Sequence, residues 1–438
     1  MTSSSKIFLI LMFGTTFLSQ GQSFYGYNSS KYAGIQSNMF NPALAVQSGY
    51  LIDINLASAN VSLGSDYFGI DFSDISNFTD RFDIGDTDTF PKTSNNFFVN
   101  TDILGPSILF NINQKHSIGL NTRIRGILNI NNIPGQLYEE LSNDFDETQD
   151  FSASINDLNA VLHSWAEIGA TYAFVAYQTD KRTLKLGTTI KYLQGAGGVF
   201  VNADEIDASF HENASLLSST GTLSYGSTQG FNDSEISFDN LNSGLGFDIG
   251  AVYEIKKDSL SDYTLRIGAS ITDIGNITYE EAEIDRFNVS GTVSTDDFEN
   301  EDSIQDILDV NYAADFSIGE AKIKLPTALR FFADYNVKSK FFLSLESTYS
   351  LNSAEKEQSN RLLNYATLTP RLEGRQLALF SPLSVIEHIG FSWGAGAKLG
   401  PLTIGSNNLF TNLASSSSKG VDAFIGLKVP IYKSRNRK

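Results

Sequence analysis

Residues 116–129 read HSIGLNTRIRGILN, and their pattern decides the fold. Ile118, Leu120, Thr122, Ile124 and Leu128 form an apolar or small set that alternates with Ser117, Asn121, Arg123, Arg125 and Asn129. Successive side chains of an extended strand point to opposite faces, so one face of this segment is greasy and the other carries amides and guanidinium groups. The same period recurs at 184–192, where Leu184, Leu186, Ile190 and Tyr192 oppose Lys185, Thr189 and Lys191. At 245–254, Leu245, Phe247, Ile249, Ala251 and Tyr253 oppose Gly246, Asp248, Gly250 and Glu254, and later copies lie at 263–272, 327–335, 341–349, 389–399 and 421–431. Runs of about ten residues are longer than soluble strands usually are and match strands that cross a bilayer at a tilt.

The connections alternate in length. Short turns are expected at 113–115, 178–181, 256–261, 337–339, 373–375 and 400–401, and long polar segments at 64–95, 131–161, 195–243, 276–325 and 352–361, with shorter ones near 383–387 and 411–419. Tight turns at one end and elongated loops at the other are the signature of an outer-membrane barrel, here of about fourteen strands. Residues 96–112 and 362–384 alternate poorly, which leaves the count uncertain by two. A soluble double-sheet protein or a propeller would also alternate, and a sequence pattern does not say which face looks outward. The lack of a repeat of 20 to 50 residues counts against a propeller.

Lys6 precedes an apolar run at 7–18, too short to span a bilayer as a helix, and Ser19 and Gly21 are spaced like a cleavage site. This reads as a secretory signal, 1–22, followed by a plug or hatch segment, 23–48, and a barrel, 49–438. The chain has 32 Phe and 18 Tyr against 3 Met, a balance that favours strands. With no Cys, disulfides, thiolate metal sites and a lipidated cysteine are unavailable. A net charge of -19 argues against a nucleic-acid partner, and the acids concentrate at 133–157 and 276–320, in expected loops.

Ahead of the first strand stand Tyr32, Ala33, Gly34 and then Phe40, Asn41, Pro42, Ala43. This opening resembles the N-terminal hatch of the long-chain fatty-acid transporter (FadL-like) superfamily. With Ser270, Ile271, Thr272, Asp273, Ile274 and Gly275 in mid-chain, it is still more similar to an uncharacterised Bacteroidota outer-membrane barrel family related to the type IX secretion protein PorV. The resemblance implies a fourteen-stranded barrel with an N-terminal plug and, for its best-known members, passage of hydrophobic compounds. The apolar groove and the sideways-opening strand kink of the fatty-acid transporters have no matching residues here.

Within the barrel reading, Asp53, Arg123, Arg125, Glu167, Lys185, Lys191, Asp248, Glu254, Arg266, Arg330, Asp334, Glu346, Lys398 and Lys428 point to the lumen, with both signs represented. Buried charges need partners, so they are expected to pair across the interior and anchor the plug, leaving a closed or narrow lumen; a substrate-selecting ring is the other reading. No catalytic or cofactor site emerges. His116, His163, His211 and His388 fall in separate expected turns and loops without ligand spacing. Asp83, Asp86 and Asp88 lack the calcium-loop pattern, and the glycine run 195–198 reads as a strand end, not a phosphate cradle. The chain is thus expected to sit in outer-membrane lipid as a non-enzymatic barrel. Either it passes a small hydrophobic ligand, or it acts without transport as a scaffold of a secretion or surface complex; a soluble secreted sheet protein is the third possibility.

Overall fold

The computed structural model describes residues 26–70, 88–142, 145, 149–228, 242–257, 263–295, 304–354 and 358–432. The expected signal at 1–22, residues 23–25 of the expected plug, Asp83 and Asp86 lie outside the described residues.

The chain runs up and down from β1 (Tyr50–Ser65). β2 (Asn95–Leu104) and β3 (Ser107–Asn111) form one stave interrupted at Gly105 and Pro106, followed by β4 (His116–Ile133), β5 (Phe151–Gln178) and β6 (Arg182–His211). β7 (Leu216–Ser227) and β8 (Ser243–Lys256) share the next stave, because both pair with β6 and with β9 (Tyr263–Asn288). The short β10 (Gly291–Ser294) adds to β7, while β11 (Ala313–Lys324) and β12 (Ala328–Lys338) both pair with β9. The wall continues through β13 (Phe341–Ser350) and β14 (Tyr365–Glu373), then β15 (Leu377–Phe380) with β16 (Leu383–Ile386). β17 (Gly390–Trp393) with β18 (Ala395–Leu399), β19 (Leu402–Ser406) and β20 (Gly420–Tyr432) complete it. β20 pairs back onto β1, from Tyr50 with Tyr432 to Gly64 with Gly420. The result is a closed antiparallel barrel of fourteen staves. Closure satisfies the ladder without an edge, as hydrocarbon requires.

The faces are assigned by exposure. Ile118, Leu120, Ile124, Ile168, Tyr192, Leu245, Phe247 and Ile249 are exposed, whereas Asn121, Arg123, Arg125, Lys185, Lys191 and Asp248 on the same strands are buried. A soluble sandwich would reverse both sets. Exposed aromatics mark the two rims of the greasy belt: Tyr177, Tyr335 and Phe341 at the end with the short turns, Tyr192, Tyr349, Phe391 and Trp393 at the other. The protein is an integral outer-membrane barrel. Leu120 lies within the belt between Ile118 and Ile124. Leu120→Arg is therefore expected to destabilise the barrel by about 2–4 kcal/mol, read as an earlier midpoint in urea unfolding from lipid vesicles with the gel mobility of the folded form retained.

Beyond the belt the structure departs from the expected long loops. β5 and β6 run 28 and 30 residues, and much of 151–161, 195–211, 216–227, 276–288 and 313–324 is strand. In these extensions the pattern inverts: Phe151, Ile155, Leu158 and Val161 of β5 are buried, and Ser152, Ser154 and Asn156 face out. Above the hydrocarbon the outer medium is water, so polar residues turn outward. Their frequency there imitates loop composition. The glycine run 195–198 is likewise no strand end, since β6 continues through it with a register shift opposite Ser164 and Trp165. His163 is not in a loop either. It is buried on β5, between Asn360 Oδ1 at 3.1 Å and Tyr279 Oη at 2.9 Å.

Candidate functional site

Residues 26–48 lie inside the barrel. They comprise a one-turn helix, α1 (Ile35–Asn38), and a 3₁₀ turn, Pro42–Ala45. Apolar contacts tie the segment to walls on opposite sides: Tyr27 packs with Phe380 and Phe424, Ile35 and Met39 with Leu104, Leu109 and Ala173, and Phe40 and Leu44 with Val252 and Phe332.

Polar contacts fix its path. Tyr32 offers its carbonyl to Tyr27 Oη, Tyr50 Oη and Lys428 Nζ at 2.9, 2.7 and 2.9 Å. The Ala33 carbonyl accepts from Lys428 Nζ at 2.6 Å. Asp53, fully buried, is 3.4 Å from the same ammonium and accepts from the Ile35 N–H at 2.9 Å. Gly34 has φ 62, and any Cβ there would collide with the Asp53 carboxylate, so only glycine serves. Asn41 caps the 3₁₀ turn: its Oδ1 accepts from the Ala43 N–H at 3.0 Å, with Pro42 in the first turn position. The Asn41 Nδ2 donates to the carbonyls of Ala251 and Ala269 on β8 and β9 at 3.3 and 3.0 Å. The wall is dented to receive this turn. Gly187 and Gly250 are cross-strand neighbours, and a Cβ on Gly187 would stand 2.5 Å from Pro42 C and Ala43 N, while one on Gly250 would strike the Asn41 side chain.

The inward charges form two groups. Toward the end with the short turns, Glu346 accepts from the Gly26 and Ser29 N–H groups at 3.2 and 3.1 Å. Arg371 donates from Nε to Glu373 at 2.7 Å, from Nη2 to Asp334 Oδ2 at 3.0 Å and from Nη1 to Ser29 Oγ at 3.1 Å. Arg266 reaches the Ser29 carbonyl, Tyr263 Oη and Asp334. Lys185 pairs with Glu254 at 2.6 Å, and Lys398 donates to the Arg375 carbonyl at 2.9 Å. Arg330 lies with its guanidinium 5.5 Å from the Phe40 ring centroid. The second group crosses the lumen outside the inner segment. Arg123 joins Asp102 and Glu167, Arg125 reaches Asp273 at 2.9 Å, and Lys191 bridges Asp248 and Asp273 at 2.8 and 2.6 Å. Every charge singled out from the sequence is buried and inward-facing.

Asp102, Asp273, Arg371 and Glu373 were missed as members of these groups. Arg371 and Glu373 sit in the stretch read as poorly alternating, yet in the structure inward and outward positions alternate without a break along β14. Asp273 belongs to the mid-chain sequence that carried the resemblance, and the structure gives that sequence a physical role. β8 and β9 shift register between Phe247 and Ile249, Asp273 takes φ 58, and its carboxylate turns to Arg125 and Lys191. On the other side Thr327 Oγ1 donates to the Asp273 carbonyl at 2.7 Å and Leu325 N to the Gly275 carbonyl at 3.0 Å, across the break between β11 and β12. A bulge of this kind re-aims a side chain, here the Asp273 carboxylate onto two cations.

Outside the charge layer apolar side chains gather in two tiers, with His163, Asn159, Asn202 and Asn360 buried among them and bonded to one another in pairs. The nearer contains Ile127, Val161, Trp165, Leu193, Ile277 and Leu325, with Arg125 4.9 Å from the Trp165 ring centroid at the boundary. The farther, within the extensions, contains Phe151, Ile155, Phe210, Phe287, Ile307 and Leu308; it is covered by α2 (Gly135–Ser142) and α3 (Ile304–Asn311).

The profile of a family of unknown function, DUF5723, matches residues 42–407, starting at the proline of the docked turn. No curated protein matches the sequence. Among solved structures, the Pseudomonas putida toluene transporter TodX is 9% identical, with 95% of this chain and 100% of that chain covered and a TM-score of 0.48. The Ralstonia pickettii toluene transporter TbuX is 10% identical, with coverage of 91% and 94% and a TM-score of 0.43. A Pseudomonas aeruginosa FadL homologue is 10% identical, with coverage of 94% and 98% and a TM-score of 0.41. The closed ladder, not these distant likenesses, fixes the architecture.

Proposed function

The chain belongs to the DUF5723 family of unknown function, and from its geometry we propose that it passes a small hydrophobic molecule across the outer membrane, with residues 26–48 as the plug. One observation carries the reading: two apolar tiers lie in line above the charge layer and the inner segment. A hydrophobic solute would partition among these side chains as they part, outside the belt and ahead of the ion-paired layer. Passage then requires the ion pairs around Asp273 to part and the inner segment to leave its dent. Residues 26–48 are the moving part in this reading, and the bulge at Asp273 is where the wall yields.

Deleting residues 23–46 is expected to raise both the conductance of planar bilayers holding the barrel and the uptake of the apolar dye N-phenyl-1-naphthylamine by proteoliposomes. A folded deletion variant, verified by heat-modifiable gel mobility, with neither change would count against a plug. A rise in conductance with no dye uptake would favour the second reading, a non-transporting scaffold of a surface complex. That reading is favoured by the full pairing of the charge layer and by the height of the wall beyond the belt.

A further inference from the structure

β11 is the last strand of the tall part of the wall. It pairs with β9 from Ala313 opposite Asn288 to Lys324 opposite Asn276. Among the described residues its other edge is closed only at the foot, where Lys324 N donates to the Gln358 carbonyl at 2.9 Å, Asn360 N to the Lys324 carbonyl at 3.3 Å and Lys322 N to Gln358 Oε1 at 3.2 Å. Among the described residues no strand continues that ladder along 313–320. Every residue of 313–318 is exposed, on both faces.

Two of them are large and apolar: Phe316 at 57% and Ile318 at 62% exposure. Residues directly opposite in a ladder share a face. Phe316 stands opposite Asp285, Ile318 opposite Glu283 and Ala314 opposite Phe287, a fully buried member of the outer apolar tier. Phe316 and Ile318 therefore lie on the face that is covered elsewhere in the extension, on a strand that nothing described covers. Val310 on α3, 64% exposed, adds a third apolar side chain nearby in sequence. The greasy belt does not explain them. Ile318 is six residues beyond Lys324, about 20 Å along the strand, and carboxylates surround it. Burial together with Asp309 and Glu283 raises the Asp285 carboxyl above the usual range, and the Tyr225 hydroxyl is raised by burial and by Asp285, Asp306 and Asp309. These acids thus converge beside the open face.

A bare edge strand is a template for another chain. We infer that 313–320 accepts an extended segment of a partner protein as an added strand, whose inward side chains are apolar with Lys or Arg at either end. The free backbone groups bind the segment, Phe316 and Ile318 receive its apolar residues, and Glu283, Asp285, Asp306 and Asp309 select the basic ones. The inference stands whether or not a ligand crosses the lumen.

The test uses the whole barrel in detergent micelles and a labelled nine-residue peptide, Lys-Ser-Val-Ser-Val-Ser-Val-Ser-Lys, whose one face is a row of valines with a lysine at each end. Saturable binding is expected, weakening with salt, with slowed amide exchange along 313–320. The peptide with its central valine replaced by proline, and one with glutamate in place of lysine, should bind at least tenfold more weakly. F316D/I318D separates docking from general attraction to an acidic protein: it adds negative charge, so charge alone predicts tighter binding, whereas strand addition predicts at least a tenfold loss. Both positions are exposed, and the variant's folding is checked by gel mobility. Unchanged or tighter binding to F316D/I318D, or no binding to the native barrel, overturns the inference. So does a barrel dimer that F316D/I318D dissolves, which would make a second copy the occupant.

Discussion

Arg371→Met is expected to destabilise the barrel by about 3–5 kcal/mol, the cost of leaving buried charge without its partner. Arg371 is fully buried and uses all three guanidinium nitrogens: Glu373 at 2.7 Å, Asp334 at 3.0 Å, and Ser29 and Ser344 at 3.1 and 3.2 Å. Removing it strands Glu373 outright. Asp334 keeps only Tyr263 and a long contact to Arg266 at 3.5 Å. Lysine at this position restores one positive charge but not a planar fork able to meet four groups, so Arg371→Lys should fall between methionine and the native residue. The measurement is the urea midpoint of the barrel in lipid vesicles. The comparison that isolates the mechanism is R371M with D334N and E373Q added, which neutralises the orphaned carboxylates and should recover more than half of the loss. A stability for R371M within 0.5 kcal/mol of native, the usual scatter at indifferent sites, would mean that water reaches this layer and the ion pairs there contribute little.

The architecture was legible because the belt imposes one rule on every crossing strand. Residues such as Leu120 and Arg123, or Ile190 and Lys191, must face opposite media, and the period exposes both. The same rule misleads above the belt. There Phe151, Ile155 and Leu158 still recur at intervals, but their polar neighbours face water and read as loop. The lumen charges were found by parity alone, and parity fails where a strand is interrupted. The register shift between Phe247 and Ile249 hid the partnership of Asp248 with Asp273, whereas Arg371 keeps the inward parity of β14 and was overlooked because Tyr365 on the inward set and Pro370 on the outward set blur the contrast between the two faces. What no local pattern could reveal is pairing at long range. Gly187 and Gly250 look like two ordinary strand glycines until the fold places Pro42 and Asn41 against them.

That dent makes the second large effect. Gly250→Leu is expected to convert a quiet barrel into one with steady conductance in planar bilayers. A Cβ at 250 already collides with the Asn41 side chain, and the remaining leucine atoms would need space the turn fills. The wall cannot give way, because Gly250 is held in register by Gly187 on one side and Ser270 on the other. Ser270 Oγ in turn donates to the Phe40 carbonyl at 2.7 Å, so displacing the turn also breaks that bond and the two that Asn41 makes with the wall. Loss of three hydrogen bonds at about 0.5–1.5 kcal/mol each is enough to shift an inner segment between seated and unseated states. Gly250→Ala should give an intermediate conductance, and trypsin should cut at Lys31 faster in the leucine variant. Leu120→Ala, on the lipid face and away from the inner segment, should leave conductance unchanged. Were Gly250→Leu to fold and stay quiet, the segment would be accommodating the side chain by a shift within the lumen, and the plug reading would lose its mechanical basis.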